Sequence, residues 1–201
     1  MGRAQAGPSD HELVRLAQTG NQQAVTDLYV RFKSRVFNYL YRFTGNRAAT
    51  EDLTQETFIR VYRALPRYRP TGSVAGWIYR IAGNLALNGI RHSKTLKEVS
   101  LQDEFETDEG ETYERGSTLA SEDLGPEELA EASETGLAIQ RALTKVSPVY
   151  RQVVILCDIE DHAYKEAAQI LRISINTVAS RLARGRTQMA KELGYLKKEI
   201  K

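Results

Sequence analysis

Apolar side chains recur along this chain at steps of three and four, the period of a helix buried on one face. Ser9-Asp10-His11-Glu12 has the form of a capping box, and Leu13, Leu16 and Ala17 after it predict a short helix ending at Gly20. Asn21 caps a second helix, where Val25, Leu28, Tyr29, Phe32, Val36, Tyr39, Leu40 and Phe43 hold the period until Thr44-Gly45 stops it. Asn46 caps a third, running to about Leu65 with Ala49, Leu53, Phe58, Val61, Tyr62 and Leu65 as its apolar members. Two prolines and a glycine in Pro66-Arg67-Tyr68-Arg69-Pro70-Thr71-Gly72 forbid a regular element there. Ser73 then caps a fourth helix, with Val74, Trp77, Ile78, Ile81 and Leu85 in one stripe. Its Gly83 and Gly89 each cost about 1 kcal/mol relative to Ala in a helix interior. Close approach of another helix or of a ligand to the backbone is the reason to look for.

From Ser93 to about Gly125 the period fades, leaving Val99-Ser100-Leu101 as a small apolar island ahead of a run of acids. Such a segment predicts a solvated linker. Gly125-Pro126-Glu127 starts a helix again, and Ile139, Ala142, Leu143 and Val146 continue its stripe. Ser147-Pro148 restarts the chain as cap and first helical residue, with Val149, Val153, Leu156 and Cys157 facing inward. Tyr164 to Leu171 is a short helix with Ala167, Ala168 and Leu171 inward, followed by the turn Arg172-Ile173-Ser174. Ser174 caps a last helix with the stripe Ile175, Val178, Leu182 and Met189, which completes a helix-turn-helix. The expected fold class is all-α: a four-helix N-terminal domain over 1–94, an acidic linker over 95–134, and a helix-turn-helix domain over 135–201.

Charge sharpens this division. The net charge of +2 hides two basic blocks around an acidic one. Residues 1–94 carry 14 Lys/Arg against 6 Asp/Glu, residues 95–134 carry 2 against 14, and residues 135–201 carry 12 against 6. Basic blocks at both ends point to contact with a polyanion. No apolar run approaches the roughly 20 residues that cross a membrane, and the first ten residues are too polar for a secretory signal. A single cysteine excludes an internal disulfide framework and fits a reducing cytoplasm. Cys157 reads as a small buried hydrophobe, and His11, His92 and His162 lack metal-ligand spacing. With no phosphate-cradling Gly-Lys loop, no HExxH and no spaced carboxylate cluster, neither an enzyme nor a cofactor is expected.

Three faces carry candidate chemistry. On the third helix Glu51, Asp52, Gln55 and Glu56 form an acidic–amide patch within a basic block, suited to a basic partner surface. Early carboxylates also suit the positive end of a helix, but Gln55 gains nothing from that. In the loop and fourth helix, Arg67, Tyr68, Arg69 and Trp77 precede Arg80, Asn84, Asn88 and Arg91, which fall on one face at steps of four, four and three. Guanidinium and amide groups hold phosphates and base edges, and aromatic rings stack unpaired bases. The last helix offers Ser174, Asn176, Thr177, Ser180, Arg181 and Arg184, four of them at the spacing of a reader in the major groove.

The stretches Glu51–Phe58, Trp77–Asn84 and Ile170–Arg186 together resemble the extracytoplasmic-function (ECF) sigma factors, promoter-recognition subunits of bacterial RNA polymerase, over roughly residues 10–195. The resemblance implies that Asp52, Gln55 and Glu56 dock on the β′ clamp helices of core polymerase. It implies that Arg67–Ser73 with Asn84 and Asn88 melt the −10 element and capture a flipped base. It implies further that the helix from Ile175 reads the −35 element, that the acidic linker threads the polymerase cleft near the RNA path, its acids mimicking a nucleic-acid chain, and that the β subunit is a partner beside β′. An anti-sigma factor is an implied partner, and the cytoplasm the implied location. Three features depart from the family pattern: Ala75-Gly76 before Trp77, Val146-Ser147-Pro148, and Arg172 where glycine is usual in the turn. A free-standing dimeric helix-turn-helix regulator would account for residues 135–201 but leave the acidic–amide face and the aromatic loop without a role.

Overall fold

Capping residues decide where the helices begin. The computed structural model describes residues 7–70, 72–100 and 134–199, and every regular element among them is helical. In α1 (Asp10–Gln18) the Ser9 side chain accepts from the Glu12 amide while Glu12 accepts in return from Ser9, the reciprocal box expected from sequence. Asn21 and Asn46 cap α2 (Gln22–Thr44) and α3 (Arg47–Ala64) one way only, their side chains accepting from the Ala24 and Ala49 amides. Gly45 ends α2 in the left-handed region at φ 65°, where a side chain would be strained. After a 3-10 turn at Leu65–Arg67, Ser73 accepts from the Gly76 amide and opens α4 (Val74–Ser100).

The C-terminal half contains α5 (Glu134–Lys145), α6 (Pro148–Val154), a π-helical turn at Ile155–Ile159, α7 (Tyr164–Leu171) and α8 (Ile175–Glu199). Helix α4 runs past the expected boundary at residue 94. The acidic run and the helix start at Gly125-Pro126-Glu127 lie outside the described residues.

Most of the predicted stripes form the core. Phe32, Val36, Tyr39, Leu40 and Phe43 of α2, Val74 and Ile78 of α4, and Val178 and Leu182 of α8 are almost fully buried. Helix α3 departs from its prediction. Ala49 and Tyr62 are exposed, Leu53 and Phe58 only half-buried, and the buried row is Thr50, Thr54, Thr57 and Val61. Each threonine hydroxyl donates to the carbonyl one turn back, at 2.7 Å for Thr50, 2.7 Å for Thr54 and 2.6 Å for Thr57. Local satisfaction leaves the methyl group to pack, so a polar residue serves as core. Tyr29 and Ile175 are also more exposed than their stripes imply, and Tyr29 sets its ring edge-on to Phe58.

The two helical groups rest on each other: α2 against α5 and α6, and α4 against α6 and α7. Arg151 of α6 is buried at this joint and donates to the Phe43, Thr144 and Val146 carbonyls. Burial without a carboxylate partner pushes its pKa down to about 10. Gln152 donates to the Tyr39 hydroxyl at 3.3 Å, and burial raises the Tyr39 pKa. Gly83 explains itself here, because a Cβ would fall on the Gln152 amide and lie 2.6 Å from the Tyr39 hydroxyl. At Gly89 no described atom lies within 4 Å of where a Cβ would sit.

Candidate nucleic-acid interface

Helix α1 reaches across to build the aromatic loop. Gln18 Nε2 donates to the Leu65 carbonyl at 3.0 Å and to the Tyr68 carbonyl at 2.9 Å, pinning the chain where the prolines end α3. The Tyr68 hydroxyl reaches back to the Gly72 carbonyl at 3.4 Å. Its ring meets Trp77, one turn into α4, with centroids 4.4 Å apart and planes tilted by 43°. Partial burial raises the Tyr68 pKa. Around this pair Arg67 and Arg69 are exposed, and Arg80 is half-buried with its pKa lowered, first by burial and then by the like charge of Arg172. Asn84 and Asn88 stand exposed on the next turns of α4. Arg91 continues the helix, at a position where only the backbone is described. The structure therefore brings together the loop, the rings and Arg80, and sets the two asparagines beyond them.

The acidic–amide face divides in two. Glu51 is held by Arg47 at 2.9 Å and Glu56 by Arg60 at 2.6 Å, both across one helical turn. Asp52 and Gln55 are exposed and have no hydrogen-bond or ion-pair partner among the described residues. The face expected as one patch thus has paired and unpaired members, and the four-residue spacing of both pairs is legible in the sequence.

In the helix-turn-helix, the Ser174 hydroxyl accepts from the Thr177 amide at 3.0 Å and shares a hydrogen bond of 2.8 Å with the Thr177 hydroxyl. Ser180 donates back to the Thr177 carbonyl. These three side chains are thus engaged in the start of the helix, while Asn176 is exposed and Arg181 half-buried without a partner among the described residues. Arg184 is exposed and rests on Tyr150, donating to its hydroxyl at 3.2 Å. Arg186, just beyond, forms a two-pronged pair with Asp158. Arg172 makes the turn at φ 54°, so the left-handed position is filled by a residue with a side chain.

Comparison with known proteins matches residues 28–95 to Sigma-70 region 2 and residues 136–189 to Sigma-70 region 4. The chain belongs to the ECF sigma factors. It is 38% identical over 174 residues to the ECF RNA polymerase sigma factor SigE of Mycolicibacterium smegmatis, covering 85% of this chain and 63% of that protein. It is 31% identical to SigW of Bacillus subtilis, covering 90% of this chain and 94% of that one. Solved structures that share its fold include two complexes. One is the sigma factor RpoE with the anti-sigma factor NepR from Bartonella quintana, with TM-score 0.61, 18% identity, and 84% and 96% of the two chains covered. The other is CnrH with the cytosolic domain of CnrY, with TM-score 0.62, 21% identity, and 92% and 97% covered. As an ECF sigma factor, the chain directs promoter-specific initiation by RNA polymerase, and its family is not normally catalytic. No described helix is long and apolar enough to cross a membrane.

Proposed function

We propose a division of this role among the three faces. Asp52 and Gln55 dock the chain on the β′ clamp helices of core polymerase, with the paired Glu51 and Glu56 as a rim. The Tyr68–Trp77 rings, Arg67, Arg69, Arg80, Asn84, Asn88 and Arg91 receive the unpaired −10 strand. Helix α8 reads the −35 element through Asn176, Arg181 and Arg184, with Ser174, Thr177 and Ser180 setting the helix start. The acidic segment between the domains threads the polymerase cleft near the RNA path. The chain works in the cytoplasm without a cofactor or catalysis of its own, and an anti-sigma factor holds it, as the anti-sigma factor NepR is in complex with the sigma factor RpoE of similar fold.

One observation carries this reading: two rings in contact, rimmed by the guanidiniums of Arg67, Arg69 and Arg80, which have no acid partner among the described residues. Extruding a base costs a few kcal/mol, and ring stacking with edge hydrogen bonds offsets it. Contacts of this kind exist only once the strands part. Asn84→Ala or Tyr68→Ala should therefore leave core binding and −35 binding nearly unchanged while lowering open-complex formation on duplex promoter. A pre-melted bubble should restore part of the activity. Permanganate footprinting on both templates measures this, and an Asn84→Ala variant that melts duplex as the wild type does would remove the base-capture role. A dimeric regulator, by contrast, would shift a palindromic duplex unaided and would not co-purify with core polymerase.

A further inference from the structure

Where α4 meets α7, the two domains enclose a cleft of about 660 Å³. Six arginines line it, and among the described residues only Arg60 is paired, to Glu56. Arg63, Arg67, Arg69 and Arg80 from the N-terminal domain and Arg172 from the turn of the helix-turn-helix have no ion-pair partner among the described residues. The one acid in the lining, Glu166, already accepts from the Ala163 amide and lies 3.5 Å from the His162 ring nitrogen. Arg80 and Arg172 thus approach from opposite domains, near enough that the charge of one opposes the other. Like charges gathered this way cost free energy unless an anion fills the space. Trp77 and Tyr68 form an aromatic wall of the same cleft. Its volume lies in the range of small-molecule sites and is far too small for a duplex.

We propose that this cleft binds a nucleoside polyphosphate, whose phosphates bridge Arg80 and Arg172 and whose base lies against the Trp77–Tyr68 wall. Several guanidiniums converging on one space suit successive phosphates, because each takes an oxygen in a charge-assisted hydrogen bond. A ligand that touches both domains favours the arrangement in which they are closed. It also occupies the rings assigned to the −10 strand, so the two compete; this competition rests on the −10 reading, whereas the site itself does not.

Trp77 is the sole tryptophan of the chain and lines the cleft, so its fluorescence reports occupancy directly. The full chain is titrated with ATP, with tripolyphosphate, and with sulfate at matched ionic strength. ATP should give a saturable change, tripolyphosphate weaker binding, and sulfate none. Arg172→Asn removes the guanidinium of the second domain with a residue that tolerates the left-handed turn, and should weaken ATP binding about tenfold. The same variant should hold a single-stranded −10 oligonucleotide in the polymerase complex as the wild type does. No saturable change with ATP, an equal response to sulfate, tripolyphosphate binding as tight as ATP, or an unchanged affinity in Arg172→Asn would each overturn the proposal. If instead ATP binding behaves as stated while Asn84→Ala leaves strand capture intact, the −10 reading fails and this site stands.

Discussion

Arg172 shows how much one residue can decide. A helix-turn-helix needs a residue in the left-handed region to reverse the chain, and here a side chain occupies it at φ 54°. That conformation costs an L-residue about 1–2 kcal/mol, of which glycine would return part to the entropy of the unfolded chain. Arg172→Gly should therefore raise stability by about 0.5–1 kcal/mol, read from the urea midpoint at unchanged slope. A lowered midpoint would mean that the guanidinium stabilises the turn by more than the strain it brings. The residue costs stability where it sits and sets a charge facing Arg80, which fits retention for binding.

Elements reveal a different economy. Helix α3 is buried on threonines whose hydroxyls are satisfied within the helix, which leaves its other side to charged residues. On that side Arg47 and Arg60 already balance Glu51 and Glu56, and such exposed pairs contribute only about 0.3–0.5 kcal/mol each to stability. Asp52 and Gln55 therefore carry the docking expectation. Asp52→Lys with Gln55→Ala should weaken capture of core polymerase at unchanged thermal stability, and a pull-down with wild-type yield would count against this face. Helix α8 sorts its arginines similarly. Arg186 is engaged with Asp158, whereas Arg181 has no partner among the described residues and Arg184 rests on Tyr150. Arg181→Ala should cost about 1–3 kcal/mol on the −35 duplex if it reads guanine. An equal loss on scrambled DNA, with a shallower salt dependence, would assign it to phosphate instead.

At the scale of the whole molecule, the joint between the domains depends on small clearances and polar groups. Gly83 lets Gln152 and Tyr39 close on α4, and Arg151 satisfies carbonyls from both halves. Gly83→Ala gains about 1 kcal/mol in helix propensity but overpacks the joint, a fault that costs about 1–3 kcal/mol. The variant should be less stable and show a larger radius in small-angle scattering. In a Gln152→Ala background the penalty should shrink, because the amide it strikes is gone. A penalty of the same size in both backgrounds would disprove the close approach as the cause.

Local rules were enough for much of this protein. Ser9, Asn21, Asn46, Ser73 and Ser174 mark helix starts because a cap acts within three residues. The stripes of α2, α4 and α8 mark core because helical period and burial coincide. The three motifs in order also carry the family, and the four guanidiniums and two rings of the −10 face lie within one short stretch of chain. What local rules missed depends on which helices meet. The threonine row of α3 reads as polar until its hydroxyls are seen bonding backward, and Gly83 is ambiguous until Gln152 arrives from about seventy residues away. The unpaired cations at Arg80 and Arg172 lie 92 residues apart and share a cleft only because α7 packs on α4. Capping and periodicity are short-range, whereas steric clearance and charge balance are summed over whatever the fold brings close, so only the tertiary structure could decide them.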